Sequence, residues 1–215
     1  MRGVTASLAI LLCCAVEAHG QATPAAPQAG ADAASATWAL SASVFTYLLP
    51  DERDYVQPTF TADSEWLHLE VRYNYEDLET ASVWMGYNLA GGSRIEWELT
   101  PMLGGVFGST NGIAPGIRGS LAWWKLDFYS EGEYVFDAGN SDDSYFYNWS
   151  ELALVPVEWL RVGMVTQRTR VYEMGRYIQR GVLAGFTYKA LDATAYVLDP
   201  DRGTPIVVVA AALNF

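Results

Sequence analysis

Thiols are nearly absent from these 215 residues: the two cysteines, Cys13 and Cys14, are neighbours close to the amino terminus. Beyond them there is neither a disulfide framework nor a cysteine-ligated metal. Lysine is as scarce, at Lys125 and Lys189 alone, and the arginines are scattered through a chain of formal net charge −12. That excludes nucleic acid as a partner, because neutralising phosphates needs grouped Lys and Arg. From Thr37 onward no segment of ten or more residues keeps a helical period of apolar positions, so no helical layer is available to cover an apolar sheet face. Glycine-rich phosphate loops, zinc-ligand spacings and dinucleotide fingerprints are also missing, and no cofactor or metal is expected.

What is present begins with an export address. The stretch MRGVTASLAILLCCAVEAHGQA places Arg2 before an apolar run from Leu8 to Val16 and small residues at Ala18 and Gly20, the order of a secretory signal peptide. Its apolar run is shorter than the roughly 20 residues that span a bilayer. Residues 1–20 are therefore expected to be removed, with cleavage after Gly20 and Ala18 as the alternative. A lipidated cysteine fits less well, since Leu12 or Cys13 stands where a small residue belongs. Residues 21–36, QATPAAPQAGADAASA, lack the apolar surface to order a backbone and read as a flexible periplasmic leader, a short helical plug being the alternative. Residues 37–215 form one domain.

In that domain the dominant signal is alternation with a period of two, broken by turn residues. Leu67, Leu69, Val71, Tyr73 and Tyr75 interleave with His68, Glu70, Arg72, Asn74 and Glu76. Ala81, Val83, Met85, Tyr87 and Leu89 oppose Ser82, Trp84, Gly86 and Asn88, and after Gly91-Gly92 come Ile95, Trp97 and Leu99 against Arg94, Glu96 and Glu98. Strands are expected near 37–49, 57–63, 66–76, 80–90, 94–107, 114–124, 126–137, 144–155, 159–171, 177–188, 191–198 and 205–215, hence about twelve, with ten as the fallback if 57–63 fails.

An apolar face without helices must meet a second sheet or lipid, and the connections favour lipid. Short turns at 63–65, 91–93, 124–125, 155–157 and 189–190 alternate with mostly longer, more polar connections at 50–55, 76–79, 108–115, 137–144, 172–176 and 199–204. Periplasmic turns and outer loops of a membrane barrel alternate in this way. Aromatics gather near strand ends, at Trp66, Tyr73 and Tyr75, Trp123 and Trp124, Tyr134 and Phe136, Tyr145 to Trp149, Trp159 and Tyr188, as interfacial girdles do. Arginine at lipid-facing Val83 is then expected to be costly and arginine at inward Ser82 to be tolerated.

The closing segment alternates Val207, Val209, Ala211, Leu213 and Phe215. It resembles the carboxy-terminal signal by which barrels of the Gram-negative outer membrane are recognised for assembly, carried here by Leu213 and Phe215, with departures at Ala210 and Val208. The resemblance implies an all-β, single antiparallel up-and-down barrel, porin-like, with outer-membrane lipid and the barrel-assembly machinery as partners. No substrate comes with it.

Parity turns Glu70, Glu96, Glu98, Asp127, Glu131, Glu133, Glu151 and Asp192 inward with Arg72, Arg94, Arg118 and Arg161, an excess of four negative charges. Ionised groups inside a barrel meet water or one another rather than lipid. Two readings stay open: an ion-paired, occluded interior, or a narrow path whose acidic wall admits small polar or cationic solutes. Glu131 and Glu133 are expected to pair with Arg118 rather than to act as acid, base or metal ligands. After export the one histidine is His68, inward and near a periplasmic turn, which offers no way to choose a nucleophile. A passive barrel, porin-like or structural and without enzymatic activity, is the expected function. An outer-membrane enzyme acting on lipid or polypeptide, and a surface-binding barrel, remain alternatives.

Overall fold

The computed structural model describes residues 38–50, 52–171 and 175–215. The expected signal peptide and leader lie outside the described residues. The strands are β1 (Ala39–Leu48), β2 (Tyr55–Ser64), β3 (Leu67–Tyr73), β4 (Thr80–Tyr87), β5 (Leu89–Gly91), β6 (Glu96–Gly108), β7 (Gly112–Trp123), β8 (Leu126–Asp137), β9 (Tyr145–Val157), β10 (Leu160–Val171), β11 (Gly175–Tyr188), β12 (Leu191–Leu198) and β13 (Ile206–Asn214). Each pairs antiparallel with its neighbour in sequence, apart from the β4–β5 step, where both pair with β6 through Met85↔Leu103 and Leu89↔Leu99. They are one stave interrupted at Asn88, so the barrel has twelve staves. β1 pairs with β13 from Ser41↔Asn214 to Leu48↔Val207, which closes the sheet and leaves no edge to aggregate. Beyond that register Phe215 exchanges both backbone hydrogen bonds with Leu40.

Alternation dictates what each face meets. In β6, Thr100, Met102 and Val106 are buried within the barrel while Leu99, Leu103 and Phe107 stand exposed outside. The same holds for Val71, Val83, Met85, Ile113, Val162, Met164 and Val209, so the outer surface is a continuous apolar belt. Aromatic pairs sit at its rims: Trp66 with Tyr87 and Trp159 with Phe186 at the short-turn end, Tyr134 with Phe136 at the other. Both features mark a surface whose solvent is lipid, with the rings at the polar interfaces.

Four local expectations are corrected. Residues 155–157 belong to β9 and the turn is Glu158-Trp159: a register shift between Leu160 and Val162 accommodates Pro156 at a bulge, where a missing N–H interrupts no ladder bond. The connection 108–115 shrinks to 109–111, because the Asn111 side chain closes it on the backbone of Gly108 and lets Gly112 and Ile113 join the ladder. Tyr75, expected on the lipid face with Tyr73, turns inward against Tyr147, since the strand ends at Tyr73 and Asn74 adopts a left-handed φ of 57°. Tyr145, Tyr147 and Trp149 likewise belong to the interior rather than to a girdle. The weakest expected strand, 57–63, is a full ten-residue stave.

Candidate functional site

The interior is where the chain places its charge. From β3, His68, Glu70 and Arg72 point inward and are almost fully buried. The Arg72 guanidinium donates from Nε to Glu70 Oε1 at 2.8 Å, from Nη2 to Glu70 Oε2 at 3.2 Å and from Nη1 to Glu133 Oε2 at 2.9 Å. Glu133 lies on β8, which is not a sheet neighbour of β3, so this bond crosses the interior. Glu76, just past the end of β3, lies 3.8 Å from Arg72 Nη1 and accepts from Ser82 Oγ at 2.6 Å and from Trp84 Nε1 at 3.2 Å. The Arg72 guanidinium also stacks over Tyr75 and Trp84, 4.2 and 4.7 Å from the ring centroids. Trp84 fits because Gly104 faces it: a Cβ there would meet the indole at 2.5 Å.

Towards the short-turn end, both ring nitrogens of His68 face carboxylates, Nδ1 at 2.8 Å from Asp63 and Nε2 at 3.0 Å from Glu70. Arg118 Nη2 stands 3.2 Å from His68 Nδ1 and 3.8 Å from Asp63, with Nη1 3.8 Å from Glu70. Asn88, the break in the stave, ties Asp63 to Thr100. A second centre gathers on β9, β10 and β12. Glu151 accepts from Trp149 Nε1, Tyr196 Oη and Arg161 Nη2, all at 2.8 Å, and Arg161 lies 3.9 Å from Asp127. Beside it Phe45 of β1 and Trp149 of β9 meet edge to face at 6.1 Å, a second crossing of the interior.

The positions chosen from sequence are thus distributed unevenly. Glu70, Arg72, Arg118 and Glu133 converge in one network, and Asp127, Glu151 and Arg161 in the other. Glu131 accepts from Tyr129 Oη. Arg118, although directly opposite Glu131 in the ladder, turns away to His68, Asp63 and Glu70, which corrects the expected pairing with Glu131 and Glu133. There one guanidinium meets two carboxylates, with Nη2 beside Asp63 and Nη1 beside Glu70. Asp192 binds Thr187 and Asn214 near the short-turn rim. Glu98 is half-buried and Glu96 exposed on the inward face of β6. Arg94 is corrected from lumen to turn: β6 begins at Glu96, and Arg94 lies exposed before it. Ser82, expected to tolerate arginine, is buried between Glu76 and Trp84. Leu213 and Phe215 are exposed on the outer face at the closing seam.

Sequence reasoning missed Asp63 and the interior aromatics. Asp63 carries a signal, its two-residue spacing from inward Thr61 and Thr59, but with Ser64 and Glu65 behind it the sequence resembles a turn. Among the described residues no group of three or more His, Cys, Asp or Glu side chains is placed to hold a metal ion.

A closed, even-stranded antiparallel barrel, apolar outside and charged within, defines a class: the fold is that of a porin-like outer-membrane β-barrel. Two solved structures that it is similar to carry the name of a porin. A KdgM porin superposes with a TM-score of 0.57 at 13% identity, covering 81% of this chain and 99% of the other. A structure titled KdgM porin in complex with disordered oligogalacturonate gives a TM-score of 0.56 at 13% identity with the same coverage. No protein-family model matches the chain, nor does any curated protein sequence.

Proposed function

We propose that this chain is a non-enzymatic barrel of the Gram-negative outer membrane that passes small cationic solutes along a narrow, acidic interior. The observation that carries the reading is charge. Asp63, Glu70, Glu96, Glu98, Asp127, Glu131, Glu133, Glu151 and Asp192 lie on inward positions, against Arg72, Arg118 and Arg161. A low-dielectric wall focuses such a surplus along the axis, attracting cations and repelling anions. The crossings by Arg72–Glu133 and Phe45–Trp149 keep the path narrow. The structural neighbour titled with oligogalacturonate holds a chain of carboxylates; an acidic interior favours the opposite sign. Against an enzyme, the two nitrogens of His68 are taken by Asp63 and Glu70, which leaves neither for a nucleophile's hydroxyl. The amino-terminal signal through Gly20, the leader through Ala36 and the seam residues Leu213 and Phe215 complete the proposal, as export and assembly features.

Purified, refolded protein in a planar bilayer under a KCl gradient tests it. Small conductance with a cation-selective reversal potential is expected, reduced in selectivity by Glu98→Gln with Asp127→Asn. Anion selectivity overturns the reading, and a bilayer that stays silent replaces it with an occluded structural barrel.

A further inference from the structure

The Arg72 centre is unbalanced. Three carboxylates, Glu70, Glu76 and Glu133, surround the Arg72 guanidinium, and of these it is Glu70 that also has His68 and the more distant Arg118 beside it. Glu76 Oε2 and Glu133 Oε1 are buried without a hydrogen-bond partner among the described residues. Buried carboxylate oxygens are costly to leave unpaired, so a site that keeps two of them is built for more positive charge, or more donors, than its own side chain supplies. The enclosure is also shaped for a flat organic cation. Tyr75 and Trp84 present ring faces to the guanidinium, the arrangement that selects such cations. The carboxylates meet different edges of it rather than converging on one point as metal ligands do.

We propose that Arg72 is the tethered occupant of a cation site spanning the barrel: it bolts the interior from β3 to β8, and the enclosure it fills takes guanidinium- or ammonium-type organic cations when that side chain leaves. Arg72 is then the residue that sets both conductance and the cations admitted. This rests on the reading of the interior as a cation path, but the binding site exists whether or not the barrel conducts.

The test is therefore binding, measured by calorimetry on the purified, detergent-folded full barrel with methylguanidinium as the probe. Arg72→Ala should bind it saturably with one site per barrel, the wild type should not, and Arg72→Ala with Glu133→Gln should bind about tenfold more weakly or worse. If Arg72→Ala does not fold because Glu76 and Glu133 lack the counter-charge of Arg72, millimolar methylguanidinium present during refolding should restore the folded, heat-modifiable band, and sodium at equal concentration should not. A folded Arg72→Ala barrel that binds no methylguanidinium overturns the proposal, as does a misfolded one that methylguanidinium fails to rescue. In bilayers Arg72→Ala should conduct several-fold more than wild type and be blocked by the same probe. A silent wild type together with saturable binding by Arg72→Ala would overturn the transport reading alone, whereas a conducting wild type without binding in the variant would overturn this one alone.

Discussion

Arg161 and Arg72 both hold carboxylates inside the barrel, but their partners come from different distances. Glu151, the main partner of Arg161, lies on the adjacent stave and is saturated, taking donors from Trp149 and Tyr196 on one oxygen and Arg161 on the other. Arg161 is itself about a quarter exposed. Arg72 is fully enclosed, reaches across the interior to Glu133 and leaves two carboxylate oxygens unpaired. One centre has its ion pair on neighbouring staves, with a donor from Tyr196 of β12 and a hydrogen bond on each oxygen of Glu151. The other spans the barrel and leaves two carboxylate oxygens, Glu76 Oε2 and Glu133 Oε1, without a donor among the described residues.

Removing each arginine breaks that comparison most sharply. Arg72→Ala takes from enclosed Glu76 and Glu133 the counter-charge that Arg72 gives them, leaves Glu70 to His68 and the more distant Arg118, and should cost about 3–5 kcal/mol. Arg161→Ala leaves buried Glu151 with two donors on one oxygen and opens the other towards the water that reaches Arg161, and should cost less, about 1–2 kcal/mol. Reversible unfolding in urea checks both, urea being preferred because guanidinium would enter the site under test. Equal losses would mean that the Arg72 centre is as ordinary as the other.

The next effect separates outside from inside. Val83 is exposed on the apolar belt, and Val83→Arg should cost about 2–4 kcal/mol near the bilayer midplane. The inward control is Ser43, partly open on the inner face of β1, where arginine should change stability by less than about 1 kcal/mol. Ser82 cannot serve, since arginine there would collide with Trp84 and Glu76. Folding yields in vesicles of matched thickness read the difference, and equal tolerance at Val83 and Ser43 would reverse the assignment of faces.

The staves were legible because alternation is a local property: Leu67, Leu69 and Val71 against His68, Glu70 and Arg72 state their faces without reference to any other strand. Local chemistry misled only where it has two uses. Pro156 reads as a turn but sits at a bulge, and Asn74 ends the alternation early, so that Tyr75 reverses its face. The Arg72–Glu133 bond was illegible for another reason. Inward parity named both residues, but which inward groups meet depends on how a closed barrel brings β3 to β8, and no residue spacing records that. Arg118 shows the limit from the other side: its ladder partner Glu131 is the natural choice, and it turns instead to His68, Asp63 and Glu70 of β2 and β3.

The smallest effect sharpens the comparison from within the saturated centre. Tyr196 Oη gives Glu151 one of its three donors, while its ring packs edge to face on Trp149 at 5.2 Å. Tyr196→Phe keeps the ring and removes that donor, and since Trp149 still serves the same oxygen, no carboxylate atom is orphaned. The loss should be about 1 kcal/mol or less, the net worth of one hydrogen bond to a group that retains others. Glu151→Gln should by contrast weaken the Arg161 bond and leave the amide hydrogens facing the donors of Trp149 and Tyr196, so its cost should exceed that of Tyr196→Phe. Urea midpoints of the two variants, compared with wild type at constant slope, decide it. If Tyr196→Phe proved the more costly, the centre would be held by its hydroxyl and not by its ion pair, and the contrast between a saturated bridge and an unbalanced one would have to be redrawn around the aromatic cluster instead.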